Sequence, residues 1–216
     1  MQDKSLYDQI LGLRSPWSVA RVELNAEDQQ VDVFLTHSDG VAFACPECEA
    51  SLSCYDHAAE RQWRHLDSCQ YQTVLHAQIP RVNCPQHGVK QVSVPWAEKS
   101  SRFTILLERF AIDVLLATQT VTGAMSILRT KWDQTWAIVE RAVARGQARK
   151  EAKAMPRVGI DEKAFAKRHR YITLLYDLDN STVEAISDGH DTHSGVDCLS
   201  QLSDEQIASV EAIAMD

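Results

Sequence analysis

Two short motifs constrain the fold of this chain more than any other feature of its sequence. CPEC contains Cys45 and Cys48, and CPQHG contains Cys84 and His87. Within each motif a gap of two residues lets both side chains point at one ion, and together the motifs supply the four nitrogen and sulfur ligands of tetrahedral zinc. We therefore predict a small zinc-binding β domain over residues 41–98 that depends on its metal for stability.

Other interpretations of these residues stay open on sequence alone. The 35 residues between the two motifs exceed the spacing of common zinc ribbons, so buried thiols with a surface histidine remain an alternative. Cys54 and Cys69 could replace one of the ligands, although we interpret both as ordinary half-buried cysteines. For His65 and His76 we favour hydrogen-bonded structural roles over metal binding.

The compartment predicted for this chain favours metal ligation by its cysteines over disulfide formation. No apolar run approaches the roughly 18 to 20 residues that cross a bilayer, and the N-terminus lacks the charged-then-apolar pattern of a signal peptide. We therefore predict a cytoplasmic protein without a membrane partner. Its six cysteines should stay reduced in that compartment.

Alternating apolar and polar residues predict strands on both sides of the first cysteine motif. Residues 17–24 and 31–36 alternate around the turn-forming sequence NAED, which predicts a β-hairpin within an N-terminal segment of residues 1–40. Residues 71–82 alternate enough to form two further strands.

Residues 99–155 have helical periodicity. Phe103, Leu106, Leu107, Phe110, Val114 and Leu115 predict an amphipathic helix over residues 103–117. The sequence that follows predicts a helix, a tight turn and a second helix, with the inward residues Val121, Ala124, Met125 and Leu128 on the first and Trp132, Trp136, Val139 and Val143 on the second. A helix-turn-helix motif has this spacing, and its second helix enters the major groove. Any three-helix bundle would give the same pattern.

The charge distribution favours DNA contact in the middle of the chain. The formal net charge is −8, yet residues 99–157 carry eleven basic and five acidic side chains, between two acidic ends. Such a basic segment can neutralise phosphates, although a solvated helix face is the alternative. The candidate DNA-binding residues are Lys131, Trp132, Gln134, Thr135, Arg141, Arg145, Arg149 and Lys150.

After Pro156 the pattern changes from helical to strand periodicity. The predicted elements are strands at residues 158–161, 171–176 and 182–186, a helix at residues 193–202, and a last strand at residues 210–216. The first of these strands is predicted to end at Asp161 and the last at Asp216. Because a carboxylate at the end of a buried strand needs a donor, a cleft or a metal, the two aspartates are candidates for one divalent-metal site.

The order strand, strand, strand, helix, strand opens an RNase H-like fold. In that fold the first and fourth strands are adjacent and parallel, which would bring Asp161 and Asp216 side by side. The predicted fold class is therefore an α+β multidomain protein: a zinc-binding β domain, a helix-turn-helix region and, over residues 156–216, part of an RNase H-like α/β domain.

Several motifs together resemble the IS-L-three family of bacterial insertion-sequence transposases, which are of the DDE type. They are CPEC, WRHLD, IPRVNCPQHGV, VPWA before RFT, SILRTKWDQTW, GIDEKAF with RHRYITLLYD, and AIAMD. In this sequence Arg129 stands where the family often has a small turn residue, and Met125 stands where it often has alanine. The resemblance covers essentially the whole chain.

The resemblance implies a role for each group of candidate residues. Cys45, Cys48, Cys84 and His87 would be ligands of structural zinc, and Asp161 and Asp216 would be the first two catalytic acids. Those acids would hold Mg²⁺ or Mn²⁺ for cleavage and transfer of DNA strands. The implied partner is double-stranded DNA, namely the terminal inverted repeats of an element, and the family role allows a homo-oligomer. The family's third acid, a downstream glutamate, has no counterpart here, so we expect a catalytically incomplete fragment.

Two other functions are compatible with these sequence features. One is a non-catalytic zinc-containing DNA-binding protein that regulates transposition. The other is a zinc-stabilised interaction module without a DNA role, which the basic segment and its two tryptophans argue against.

Overall fold

The computed structural model describes residues 3–166 and 170–215. By its internal contacts the chain divides into two units, Met1–Ala144 and Arg145–Asp216. No helix among the described residues is both long and apolar enough to cross a membrane.

The first unit begins with a β-rich part that contains two four-stranded sheets. Its elements are α1 (Asp3–Ile10), β1 (Trp17–Asn25), β2 (Gln30–His37), β3 (Ala42–Ala44), β4 (Ser51–His57), β5 (Arg61–Arg64), β6 (Gln72–Ala77), β7 (Pro80–Cys84) and β8 (Gly88–Gln91). One sheet has the order β1-β2-β6-β5 and the other the order β3-β4-β7-β8. The predicted hairpin is present as the antiparallel pair β1–β2.

One hydrophobic core fills this β-rich part. Alternation along β2 buries Val31, Val33 and Leu35, while Trp63 and Leu75 come from β5 and β6 of the same sheet. The parallel pairing of β2 with β6 joins the N-terminal hairpin to the strands that follow the first cysteine motif. The predicted boundary at residues 40 and 41 therefore runs through a shared core.

Three helices complete the first unit and lead out of it: α2 (Ile105–Thr118), α3 (Val121–Leu128) and α4 (Trp132–Ala148). Thr104 caps α2 and Thr120 caps α3, each accepting a hydrogen bond from a backbone N–H of the first turn. Arg129 ends α3 in the left-handed conformation, with φ of 52°. The helix, tight turn and helix predicted from the sequence are thus present.

The sequence predicted the wrong inward face of α4, because the buried residues lie one position before the predicted ones. Trp132 is 51% exposed, Trp136 40% and Val143 54%, whereas Thr135 and Ile138 are fully buried. The two indole rings stack on each other in the solvent, 5.3 Å apart. Because apolar spacing alone chose the face, the small polar Thr135 was not recognised as a core residue.

The second unit contains a mixed sheet with one face covered by a helix. Its elements are β9 (Arg157–Ala166), β10 (Arg170–Asp177), β11 (Thr182–Asp188), α5 (Thr192–Ser200), α6 (Asp204–Ala208) and β12 (Ala212–Met215), in the sheet order β11-β10-β9-β12. The predicted parallel neighbourhood of the first and last strands is present, with Met215 opposite Ile160. The short helix α6 was not predicted.

Two features of this unit differ from the sequence prediction at the candidate acids. Asp161 does not end its strand, because β9 and β10 form a long antiparallel pair that carries β9 on to Ala166. Asp161 instead lies in the middle of β9 with its side chain exposed. Asp216 lies outside the described residues.

Candidate metal centre and nucleic-acid interface

The two cysteine motifs lie in the turns at one end of the sheet β3-β4-β7-β8. The first motif connects β3 to β4, and its turn is closed by hydrogen bonds of 2.9 Å between Cys45 and the backbone of Glu49 and Ala50. The second connects β7 to β8, where Gly88 adopts φ of 68°, a conformation that favours glycine. The antiparallel pair β4–β7 holds both hairpins in one sheet.

This arrangement brings the four predicted ligands together. The sulfur atoms of Cys45, Cys48 and Cys84 and a ring nitrogen of His87 all lie within 4.8 Å of one another. Cys45 and Cys84 are buried, while Cys48 and His87 lie at the surface. Within the described residues no other group of three or more cysteine, histidine or acidic side chains converges in this way.

The distances fit one tetrahedral ion better than a disulfide. Sγ of Cys48 lies 3.7 Å from Sγ of Cys84, and Nδ1 of His87 lies 3.5 Å from Sγ of Cys84 and 3.9 Å from Sγ of Cys45. Ligands about 2.1 to 2.3 Å from a central zinc would be separated by roughly 3.5 to 3.8 Å. A disulfide would require sulfur atoms about 2 Å apart.

The backbone of each turn prepares the sulfur atoms for ligation. The amide of Glu47 lowers the pKa of Cys45, and the amide of Gln86 lowers the pKa of Cys84, because each donates a hydrogen bond that favours the thiolate. At Cys48 the amide of Ala50 also acts to lower the pKa, but burial and the neighbouring thiols outweigh it, and the pKa is raised. The surroundings thus favour the thiolate at Cys45 and Cys84, but not at Cys48, even without a bound cation.

The alternative ligands have other surroundings. The thiol of Cys54 contacts the backbone oxygen of Asp56 at 3.3 Å, and Cys69 is exposed. His65 is buried, with Nδ1 2.9 Å from Oγ1 of Thr104, and burial lowers its pKa to about 4. His76 lies between two carboxylates, at 2.6 Å from Asp32 and 3.2 Å from Glu60. Both histidines have the hydrogen-bonded environment that the sequence favoured.

Some of the predicted DNA-binding residues on and after α4 are exposed, whereas others have partners within the protein. Lys131 and Trp132 are exposed, and the side chain of Gln134 accepts a hydrogen bond from the amide of Lys131. Further along, Arg149 is exposed, and Lys150 forms an ion pair of 2.7 Å with Glu184. Arg145, half-buried, also has an interaction within the protein.

One of the predicted DNA contacts is wrong because its residue is buried, and a second residue has an ion-pair partner within the protein. Thr135 is fully buried, with Oγ1 2.7 Å from Oγ1 of Thr130, so it has no surface to offer a partner. The guanidinium of Arg141 lies 2.7 Å from the carboxylate of Glu108, which is 2% exposed. Arg141 therefore neutralises a buried charge between α2 and α4.

Glu108 was missed by the sequence reasoning, although a signal was present. It stands directly after Leu107 on α2, where it interrupts the apolar residues of the helix. The burial shows that Glu108 and Leu107 face the core, whereas Leu106 and Phe110 remain 40% and 44% exposed. An acid next to a core position, with an arginine on a later helix, indicates a buried ion pair.

In the second unit, Asp161 is exposed in the middle of β9. Directly paired residues share a face, so Asp161, Leu174 and Ile186 point to one side, where Leu174 is buried and Ile186 is 52% exposed. The other side carries Thr173 and Leu175, which are buried, and Thr173 contacts Ser194 of α5 at 2.7 Å. The carboxylate of Asp161 is thus on the side opposite α5.

Known proteins match each of these regions in turn. Residues 42–87 match the zinc-finger of the transposases of IS204, IS1001, IS1096 and IS1165, and residues 92–143 match the helix-turn-helix domain of transposase family ISL3. Residues 158–216 match the transposase domain of the same family. The chain belongs to the ISL3 family of transposases. Its three domains follow one another in the order that the motifs predicted.

Two relatives of the ISL3 chain come from strains of Mycobacterium tuberculosis, CDC 1551 / Oshkosh and ATCC 25618 / H37Rv. Each is a transposase for insertion sequence element IS1557, with 30% identity over 226 residues that cover all of this chain. The chain spans about half the length of these curated relatives, 50% in each case. No solved structure matched the chain.

Proposed function

We propose that this chain is the DNA-recognition and metal-site portion of an insertion-sequence transposase. In this proposal residues 1–98 form a zinc-stabilised β domain, residues 99–155 bind double-stranded DNA, and residues 156–216 form part of an RNase H-like catalytic domain. The DNA would be the terminal inverted repeats of the element, and the pairing of two such ends would suit a homo-oligomer.

The observation that carries the proposal is the exposed surface at the start of α4. A recognition helix contacts base edges with its N-terminal residues, and here Lys131, Trp132 and Gln134 occupy that end. The two stacked indoles of Trp132 and Trp136 expose a large apolar area to solvent, which suits contact with base edges or thymine methyl groups. Lys131 adds a cation for a phosphate.

For the β domain we propose a structural zinc on Cys45, Cys48, Cys84 and His87. The observed separations of the four ligand atoms, together with the lowered pKa values of two thiols, support this assignment. Bound zinc would join the β3–β4 and β7–β8 turns and thereby stabilise the domain. With all four positions taken by protein ligands, the site would be structural.

For the second unit we propose Asp161 and Asp216 as two acids of a catalytic metal site. The register that places Met215 opposite Ile160 supports the proposal, because one further step along both strands leads to these two positions. Bound Mg²⁺ or Mn²⁺ would activate the attacking oxygen and stabilise the leaving oxygen in phosphoryl transfer. In this proposal the chain would contribute two carboxylates to the metal site.

A DNA selection tests the recognition part of the proposal. The purified chain would be used to enrich double-stranded fragments from a random-sequence pool, and the enriched fragment would be titrated at several salt concentrations. We expect an enriched motif and a binding constant that falls steeply with salt. Trp132→Ala should change the enriched motif, whereas Arg149→Ala should weaken binding to all fragments alike. Failure to enrich any fragment at low salt would overturn the proposal.

A further inference from the structure

The segment Trp63–Arg64–His65–Leu66–Asp67 lies between the two hydrophobic cores of the first unit. Trp63 is 1% exposed in the core of the β-rich part, whereas Leu66 packs against the core of the helices. Between them the backbone of Arg64 accepts a hydrogen bond from the amide of Thr104 at 3.0 Å, and its own amide donates to the carbonyl of Arg102 at 2.9 Å. Five consecutive residues thus contact both parts.

Asp67, at the end of this segment, binds two arginines from different parts of the unit. One carboxylate oxygen pairs with Arg64 and the other with Arg129. The guanidinium of Arg129 also donates to the carbonyl oxygen of Gln70, at 3.1 Å. Burial, followed by the nearby charge of Arg129, lowers the pKa of Arg64 to about 10, which agrees with two cations gathered around one carboxylate.

The contact between Asp67 and Arg129 matters because of where Arg129 lies. Arg129 occupies the turn between α3 and α4, two residues before Lys131. A connection at that turn fixes the end of α4 that would meet the DNA bases. The loop that holds Asp67 is itself anchored, because Ser68 contacts the hydroxyls of Tyr7 and Thr73, each at 2.8 Å.

We propose that this segment is a rigid joint between the β domain and the helix-turn-helix, and that Asp67 is a positioning residue that sets the orientation of α4. The β domain and α4 would then approach DNA as one body, and the sequence that α4 contacts would be in fixed register with any phosphates that the β domain touches. The consequence for DNA binding rests on the proposed function, whereas the joint itself does not.

The joint can be tested without DNA by residual dipolar couplings measured separately for residues 17–98 and 105–144. In the parent chain both sets should give one alignment. Asp67→Asn removes the charge of the carboxylate with little change in shape and should give two different alignments. Arg129→Gly should do the same, although glycine suits the left-handed turn and should preserve its fold. Asp39→Asn, an exposed aspartate of the same domain, is the matched control and should keep one alignment.

A second arm measures binding to the DNA fragment that the parent chain enriches. Loss of an acidic side chain alone should strengthen attraction to phosphate, so Asp39→Asn should bind equally well or slightly better. Asp67→Asn should instead bind about tenfold more weakly, as expected for roughly one misplaced base contact. Asp67→Glu retains a carboxylate and should recover part of the loss.

The two arms separate failure of the joint from failure of DNA recognition. If the parent chain gives two alignments, the joint is wrong whatever the DNA results are. If Asp67→Asn and Arg129→Gly both keep the single alignment of the parent, Asp67 does not set the orientation of α4. If the alignments separate but Asp67→Asn binds like Asp39→Asn, the positioning role is wrong. A parent chain that enriches no DNA would refute the proposed function, and the alignments would still decide on the joint.

Discussion

The cysteine cluster of the first unit and the candidate acid Asp161 of the second lie in opposite surroundings. The cluster has four side chains that converge within 4.8 Å, two of them buried, in turns that their own hydrogen bonds hold. Asp161 stands exposed in the middle of β9, between β10 and β12. Short turns can bring side chains together locally, whereas a sheet does so only after long-range strand pairing.

The comparison also predicts where polar groups stabilise the fold. The buried polar groups named above in the first unit each have a hydrogen-bond or ion-pair partner. Removal of that partner would leave a buried charge or donor unsatisfied. Asp161 is exposed to solvent, so its charge should contribute little to stability. Changes in the two regions should therefore differ in their effect on the free energy of unfolding, and the following four predictions run from the largest expected effect to the smallest.

Loss of a cluster ligand should have the largest effect. Cys84→Ser, or removal of the metal by a chelator, should unfold the β domain of residues 1–98, because the binding energy of a structural zinc is also folding energy, on the order of 10 kcal/mol. Metal content by elemental analysis and thermal unfolding by circular dichroism measure the outcome. Cys69→Ser, at an exposed cysteine outside the cluster, is the control and should leave both unchanged. A folded parent chain without metal would contradict the prediction.

The ion pair between Arg141 and Glu108 should give the next largest effect. Arg141→Ala should lower the free energy of unfolding by about 3 kcal/mol, because it leaves the carboxylate of Glu108 buried without its cation. Urea denaturation measures this change, and Arg109→Ala, at an exposed arginine on α2, should change it by less than about 0.5 kcal/mol.

A double variant distinguishes a buried ion pair from a DNA contact at Arg141. Glu108→Gln together with Arg141→Met removes both charges and should recover part of the lost stability. If Arg141→Ala left the stability unchanged and weakened only DNA binding, the original sequence interpretation of Arg141 would be restored.

His65 should make stability depend on pH. Its pKa is lowered from 6.5 to about 4 in the folded chain by burial, and also by the charge of Arg64. Between these values the unfolded chain binds a proton that the folded chain does not, so stability is complete above about pH 6.5 and falls as the pH approaches 4, by up to about 3 kcal/mol.

Urea denaturation of the parent and of His65→Asn across this pH range tests the prediction. Both proteins contain the same cysteine cluster, so the difference between their curves isolates the histidine. The parent curve should be steeper between pH 6.5 and 4.5. If the two curves of stability against pH were parallel, the pKa of His65 would be the same in the folded and the unfolded chain.

Asp161 should have the smallest effect on stability. Asp161→Asn should change the free energy of unfolding by less than about 0.5 kcal/mol, because the side chain is exposed. The same change should weaken binding of Mn²⁺ to the second unit, measured by paramagnetic broadening of nuclear magnetic resonance signals, if the carboxylate holds a cation. A large loss of stability would show that Asp161 belongs to the folded core and that the two regions do not differ as proposed.

Local patterns in the sequence predicted most of the secondary structure. The β1–β2 hairpin, the strands β6 and β7, and the helices on both sides of Arg129 follow from alternation, helical periodicity and turn residues. The spacing of the two cysteine motifs predicted which side chains the structure brings together. Each of these features involves residues that are near in sequence or a repeated motif.

The predictions that failed depended on what a residue meets from elsewhere in the chain. The inward face of α4 followed Thr135 and Ile138 rather than its tryptophans, because α2 and α3 determine which face is covered. The ion pair of Arg141 with the buried Glu108 was likewise not predicted, because the two residues are 33 positions apart. Asp161 appeared to end a strand until β10 extended the pairing of β9.

The sequence by itself determined most of the helices and strands, the candidate ligands and the family, because these depend on residue types and short spacings. Tertiary structure decided which polar residues are engaged and which are offered to a partner, because burial depends on packing between residues far apart in the chain. The contact of Asp67 with Arg129 spans 62 positions, and no local pattern marks it. Only the folded chain brings the β domain to the turn of the helix-turn-helix.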